Sequence, residues 1–357
     1  MKIAHVCPRY YPYIGGVNTH VKEISERLVK RGYEVEILTT DPSGILPVEE
    51  EINGVRVRRF KSWAPSESYY FSMALKRYLV ENSENYDVVH THSYHAFPSL
   101  YAAQAKGRNK LVFTPHYHGT GHTFLRKLLH IPYKYVAKTI FDKADQIICV
   151  SNYERQLITK RFKVSERKIV VIPNGVNLEE FTHLKKREKD YKTILYVGRL
   201  EKYKGLDYLV KALRKLGKGF FLEIVGGGPY KKSLVKLADR LGVRNRVRFY
   251  QDLPRKELLQ RYADADIFVM LSKHEAFCIS VAEALASKTP CIVANASALR
   301  EWVDDENCFG INYPIDVNEL VRLIKKALNI RVKNLKLLTW DEVAERISTV
   351  YTALNEA

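Results

Sequence analysis

Two carboxylates eight residues apart, Glu275 and Glu283, stand in the stretch LSKHEAFCISVAEALASKTPCIVA at positions 271–294. A strand-like apolar run ends near Leu271 and helical spacing starts near Ile279, so one acid lies in a loop and the other on a helix. Both then flank a single point at a strand end. Between them the first free helix amides, around Ile279, Ser280 and Val281, suit a phosphate. Carboxylates belong beside a phosphate only if they accept hydrogen bonds from hydroxyls, and a sugar or ribose carries those. The alternative keeps Glu283 as a solvated helix residue and Glu275 as an ordinary acid of the first turn. Spacing alone leaves both readings open.

Arg199 and Lys204 lie on a loop after the strand-like run that ends YVG, and Gly205 leads from it into a helix. Two cations at a strand's carboxyl end form a diphosphate clamp, the arginine by its planar fork and the lysine as a point charge. Gly226, Gly227 and Gly228 follow the run LEIV, and a triple glycine lets a backbone approach a ligand closely, or simply makes a tight turn. No GxGxxG accompanies it, nor an acid some 20 residues on, which excludes the dinucleotide fingerprint. Gly15 and Gly16 close the loop after the first strand. Six histidines cluster at 90, 92, 95, 116, 118 and 122. Their HxH spacing invites a metal, but no carboxylate or cysteine accompanies them, and no metal site is expected.

Composition narrows the class. With 46% hydrophobic and 27% charged residues, the chain is globular rather than disordered. The 357 residues suffice for two domains. Apolar runs are strand-length and none reaches the ~20 residues of a membrane span. The N-terminus offers no signal-peptide core, so a cytoplasmic protein is expected. Five scattered cysteines without a CxxC pair argue for free thiols, not disulfides or zinc. The net charge of +18 calls for polyanionic partners: nucleic acid, an anionic membrane or phosphorylated small molecules. Residues 1–172 hold 26 Lys/Arg against 16 Asp/Glu and the remainder 32 against 24, so no basic tail exists and nucleic acid is disfavoured.

Strand-like and helix-like runs alternate to position these residues. Strands are expected at Lys2–Cys7, Val35–Thr39, Val55–Phe60, Val88–His90, Lys110–Thr114 and Ile147–Val150, with a helix over Val17–Lys30. The pattern restarts near 193. Strands are expected at Thr193–Val197, Phe220–Val225, Val247–Phe249, Ile267–Leu271 and Pro290–Val293. Helices are expected at Leu206–Lys215, Tyr230–Leu241, Lys256–Tyr262 and Ile279–Ala286. Such alternation implies α/β architecture with parallel sheets. The charged segment His183–Lys192 reads as a linker, giving domains 1–173 and 174–339. The amphipathic tail 340–357 is expected to cross back to the first domain.

The segment E-A-F-C-I-S-V-A-E-A at 275–284 resembles the E-x7-E motif of the retaining glycosyltransferases of GT-B fold, specifically glycosyltransferase family 4. Further motifs follow the family's order: Gly15-Gly16-Val17, Val88–His92, Thr114-Pro115-His116, Val150–Glu154, Ile172–Val176, Val197–Gly205 and Gly226–Pro229. The resemblance implies two Rossmann-like doubly wound domains facing a central cleft. It further implies metal-independent transfer, with retention, of a hexose-type sugar from a UDP- or GDP-linked donor to a glycan, lipid or lipid-linked acceptor. It implies catalytic roles for Arg199, Lys204, Glu275 and His116, with His118 competing for the place beside the sugar. Donor contacts are implied for Gly15, Gly16, Gly226, Gly227, Gly228, Phe277, Cys278, Ile279, Ser280 and Glu283. No cofactor is expected. Ala276 and Cys278 stand where the family usually has glycine, and Gln251 where glycine is common.

Residues 122–143 interleave Arg126, Lys127, Lys134, Lys138 and Lys143 with Phe124, Leu125, Leu128, Tyr135 and Ile140. That pattern fits either peripheral contact with an anionic membrane or a core-packing helix pair broken at Pro132. Two enzyme alternatives on the same fold are a nucleotide-sugar epimerase and a sugar-phosphate synthase.

Overall fold

The computed structural model describes residues 1–65, 69–119, 124–333 and 335–356. These form two compact units, Met1–Asn174 with Trp340–Ala357, and Gly175–Thr339.

The first unit is built on an eight-stranded sheet. Its strands are β1 (Lys2–Cys7), β2 (Glu34–Asp41), β3 (Glu49–Ile52), β4 (Val55–Lys61), β5 (Val88–His92), β6 (Lys110–Thr114), β7 (Gln146–Cys149) and β8 (Ile169–Val171). They lie in the order β3-β4-β2-β1-β5-β6-β7-β8. All pairings are parallel except β3 with β4. Central strands such as β5 are buried along their whole length, as a sheet covered on both faces requires. The antiparallel β3–β4 hairpin was not expected, although Asn53 (φ 52°) and Gly54 (φ 80°) form the left-handed pair that a two-residue hairpin turn demands.

The helices of this unit are α1 (Gly16–Lys30), α2 (Met73–Asn82), α3 (Phe97–Gln104), α4 (Phe124–Lys143) and α5 (Asn152–Phe162), with α11 (Trp340–Glu356) added from the far end of the chain. Helix α1 buries His20, Val21, Ile24 and Leu28 on one face. It stops at Gly32 (φ 84°), where the Tyr33 amide reaches back to the Leu28 carbonyl and the Gly32 amide to Val29. Helix α11 buries Trp340, Val343, Ile347 and Tyr351 in the same unit, and Arg27 Nε donates to Asp341 at 3.0 Å.

The helix pair broken at Pro132, one of the two readings of this segment, is not found: α4 runs through Pro132 as one helix. Proline removes one hydrogen bond, but the turns that follow are fixed in the core by Tyr133, Ala137, Ile140 and Phe141. Ile140, one of the apolar residues interleaved with the basic ones, is interior. Tyr135 is exposed and Lys138 pairs with Asp142 at 2.6 Å. His122 and the side chains of Phe124, Leu125, Arg126, Lys127 and Leu128 lie outside the described residues. Among the described residues no helix is long and apolar enough to cross a membrane.

The second unit carries a parallel six-stranded sheet of β9 (Lys192–Val197), β10 (Phe220–Val225), β11 (Val247–Tyr250), β12 (Ile267–Met270), β13 (Cys291–Ala294) and β14 (Cys308–Ile311), in the order β11-β10-β9-β12-β13-β14. Helices α6 (Leu206–Lys215), α7 (Lys231–Arg240), α8 (Arg255–Asp264), α9 (Ile279–Ala286) and α10 (Val317–Ala327) connect them. Residues 183–192 are not a free linker. Arg187 Nε donates to Asp264 at 2.8 Å and Lys186 pairs with Asp266 at 2.8 Å, so the charged run is docked on this unit.

Strand order reverses between β1 and β5 in the first unit and between β9 and β12 in the second. Ligands of doubly wound sheets bind at such reversals, outside the carboxyl ends of the strands.

Candidate functional site

In the second unit the loops after β9 and β12 meet at the reversal. The Lys273 amide donates to the Tyr203 carbonyl at 3.0 Å, joining the two loops. Across this junction Lys204 Nζ donates to Glu275 Oε1, and both side chains are largely buried. Burial alone would lower the Lys204 ammonium; the Glu275 carboxylate outweighs it and holds the lysine well above its usual range. Glu275 is fixed in turn by Ser297, whose hydroxyl accepts from its amide at 3.0 Å. Arg199 extends from the same loop, 59% exposed, with Nη2 at 3.4 Å from Glu201. Burial raises the Tyr203 phenol, and the charges of Lys204, Glu275, Glu201 and Arg199 all act on it. Lys204 and Glu275 touch, and Arg199 pairs with Glu201 on the same loop as Lys204.

Helix α9 begins beside this pair. Cys278 precedes it with φ 84°, a left-handed conformation that favours glycine, and no side chain caps the helix. The amides of Ile279 and Ser280 are thus left for an outside acceptor. Phe277 is clamped by Trp302, whose Nε1 donates to the Phe277 carbonyl at 2.9 Å. The Cys278 thiol is pushed up to about 12, by burial first and by Glu275, which leaves it an inert small group. Glu283 is buried rather than solvated: Arg255 donates to it at 2.5 Å and to Glu180 at 2.6 Å. Arg255, on the facing helix α8, gave no signal in the sequence analysis.

Of the two readings of the triple glycine, close packing of one backbone on another is the one the geometry accounts for. A Cβ on Gly226 (φ 132°) would come within 2.2 Å of the Gly198 carbonyl oxygen, and one on Gly228 (φ 151°) within 2.5 Å of the Leu200 carbonyl oxygen. These glycines let the β10 loop lie against the β9 loop that carries Arg199, so their demand is internal packing. Gln251 covers Gly227, with side-chain atoms 3.0–3.3 Å from where its Cβ would be.

In the first unit, Gly15 and Gly16 open α1 with no side-chain cap, and added side chains would meet open space. Below them five imidazoles converge from β1, α1, β5 and the loop after β6. His5 Nδ1 and His92 Nε2 share a hydrogen bond of 2.9 Å, and His90 bonds Tyr351 Oη at 2.5 Å and Thr114 Oγ1 at 2.7 Å. His20 Nδ1 donates to Asn174 Oδ1 at 2.7 Å. Burial lowers all five, His20 to about 4 and His5 to about 3, so they are neutral at pH 7.

His116 holds φ 50° and its ring meets that of His20 at 4.8 Å. His118 belongs elsewhere, stacked on His95 at 5.2 Å. The His116 loop is anchored by buried Glu154, which accepts from the Tyr117 amide and from the Val150 amide at 2.7 Å. Burial pushes this carboxyl up to about 8 against the pull of those amides. His5, His20, Asn174 and Glu154 were not picked out as site residues. His5 and His20 stand singly in the sequence, far from the HxH runs.

The comparisons agree with this geometry. Residues 14–180 match the model of Glycosyltransferase Family 4, and residues 179–339 that of Glycosyl transferases group 1. An uncharacterised glycosyltransferase of Methanocaldococcus jannaschii is 29% identical over 389 residues, covering 98% of each chain. Sucrose-phosphate synthase from Thermosynechococcus elongatus has a similar structure, with TM-score 0.81, 22% identity, and 99% and 98% of the two chains covered. Anabaena HepE, solved in complex with UDP, superposes with TM-score 0.71 and 19% identity over 100% and 98%. The chain belongs to the glycosyltransferase family 4 type of glycosyltransferases and has the GT-B fold.

Proposed function

We propose that this enzyme moves a hexose-type sugar, with retention of anomeric configuration, from a UDP- or GDP-linked donor to a hydroxyl of a glycan, lipid or lipid-linked acceptor. The observation that carries the reading is the buried Lys204–Glu275 pair beside the uncapped start of α9, at the β9/β12 reversal. A buried ammonium next to open helix amides suits a diphosphate, and Arg199 on the same loop adds a second cation. The UDP held by Anabaena HepE supports a nucleotide-diphosphate donor here.

In this reading the bond from the anomeric carbon to the diphosphate oxygen breaks, and the acceptor oxygen bonds to the same face of that carbon. The acceptor proton passes to the departing phosphate oxygen. Charge grows on the diphosphate, where Lys204, Arg199 and the amides of Ile279 and Ser280 already wait. Glu275 orients Lys204 and accepts from a sugar hydroxyl. Glu283, held by Arg255, accepts from the ribose. Gly15 and Gly16 let the α1 amides reach the donor phosphates, and His116 contacts the sugar. No metal or cofactor takes part in the step, and the setting is cytoplasmic.

The test is transfer from UDP- and GDP-sugars in EDTA by the wild type and by Arg199→Ala, Lys204→Ala and Glu275→Ala. Each variant should lose most of the activity. Near-normal transfer by all three would end the assignment.

A further inference from the structure

We infer that His20, His92 and His116 form a binding site for a late first-row divalent ion, with Zn2+ as the reference ion. One ring nitrogen from each lies within 4.8 Å of the other two. His20 Nε2, His92 Nδ1 and His116 Nε2 have no hydrogen-bond partner, and His20 and His92 are fully buried. Buried ring nitrogens without partners are rare and call for an explanation, and a bound ion is one.

The remaining nitrogens of two of these rings are already committed in the way metal ligands are. His20 donates from Nδ1 to Asn174 at 2.7 Å, which fixes the tautomer and leaves the lone pair on Nε2. His92 Nε2 is tied to His5 at 2.9 Å, leaving Nδ1. The neighbouring triad of His5, His90 and His92 also converges, but both nitrogens of His90 are taken by Tyr351 and Thr114. Of these two triads, the one formed by His20, His92 and His116 carries an unpartnered nitrogen on each of its three rings.

Three neutral imidazoles select zinc and its neighbours over magnesium or calcium, which take oxygen ligands. Zinc–nitrogen bonds of about 2.0–2.1 Å set the nitrogens roughly 3.4 Å apart, so the rings close inward by about an ångström on binding. The fourth position is left to water. The ion is not needed for transfer. It occupies the His116 imidazole, so zinc inhibits the enzyme reversibly, a consequence that rests on the proposed place of His116 beside the sugar.

Competition of the purified full-length protein against a chromophoric zinc chelator tests the site. One equivalent should bind with micromolar or tighter affinity, and X-ray absorption at the zinc edge should fit three imidazole nitrogens. His20→Gln and His92→Gln should each weaken binding at least tenfold, Asn174→Leu about tenfold through the lost orientation of His20, and exposed His183→Gln not at all. Millimolar affinity, an absorption spectrum without imidazole ligands, or unchanged binding in both folded histidine variants would overturn the site. The absorption measurement needs no variant, so a misfolded substitution does not shield the inference. Three-imidazole binding without inhibition leaves the site standing and removes His116 from the sugar. Binding by a protein that transfers nothing leaves the site standing and ends the transferase reading.

Discussion

At the strand-order reversal of the second unit, charge is buried: Lys204 against Glu275, with the buried Glu283 nearby held by the half-exposed Arg255. At the reversal of the first unit five neutral imidazoles are buried instead, joined to Tyr351, Thr114 and Asn174. Both lie at a strand-order reversal between parallel strands, so backbone architecture does not account for the difference. The chemistry proposed for each place does. A site that receives a diphosphate gains from cations fixed in advance, because charge is worth most where water is excluded. A site that meets sugar hydroxyls needs donors and acceptors without net charge.

The largest expected effect contrasts the two places directly. Lys204→Ala should lower kcat about 10²–10³-fold, as loss of one donor to a developing oxyanion does. His116→Gln should lower it only about tenfold, the worth of one hydrogen bond between neutral groups. Steady-state kinetics with the preferred donor decide this, and equal losses would erase the distinction.

Acid separates the units by stability. A histidine with a lowered folded pKa binds fewer protons folded than unfolded. Its stabilisation is complete above the unfolded value near 6.5 and is lost as pH falls toward the folded value. His20, at about 4, then withdraws roughly 3 kcal/mol by pH 4. The raised Lys204 behaves oppositely, contributing fully below the unfolded lysine value near 10.5 and fading only above it. Hydrogen exchange between pH 7 and pH 5 should therefore show protection lost in β1, β5 and β6 while β9 and β12 keep theirs. Uniform loss would contradict the contrast.

Arg255→Met leaves Glu283 buried without its partner. Because Arg255 is 42% exposed, solvent screens the pair, and a loss of about 1–2 kcal/mol is expected in urea unfolding. Cys278→Gly should have the smallest effect. It relieves a left-handed cysteine at the start of α9 and should raise stability by about 0.5–1 kcal/mol, less the entropy glycine gains when unfolded. A lowered Tm would show that the thiol's contact with Ser280, 3.3 Å away, matters more than the backbone.

Much of this was legible in the chain. Strands Lys110–Thr114 and Phe220–Val225 and helices Leu206–Lys215 and Ile279–Ala286 fall where apolar periodicity puts them. Strands β3, β8 and β14 did not show, because EEEI is acidic and exposed, IVV is too short and CFGI lies among polar turns. Glu275 and Lys204 were readable because each follows a strand and precedes a helix start. The role of Gly226 and Gly228 was not, since a glycine demanded by a second loop looks in sequence like one demanded by a ligand. Nor were His5 and His20, which join His92 and His116 only through the pairing of β1 with β5 and the burial of one face of α1. Proximity across a sheet leaves no mark in linear spacing.

The central claim is that Lys204 and the start of α9 hold a nucleotide diphosphate without metal. Calorimetric titration of UDP, GDP and ADP in EDTA, into the wild type and Lys204→Ala, tests it most directly. One diphosphate should bind the wild type at micromolar affinity and bind the variant at least tenfold more weakly. Absence of binding by all three, or equal binding by the variant, would contradict the account.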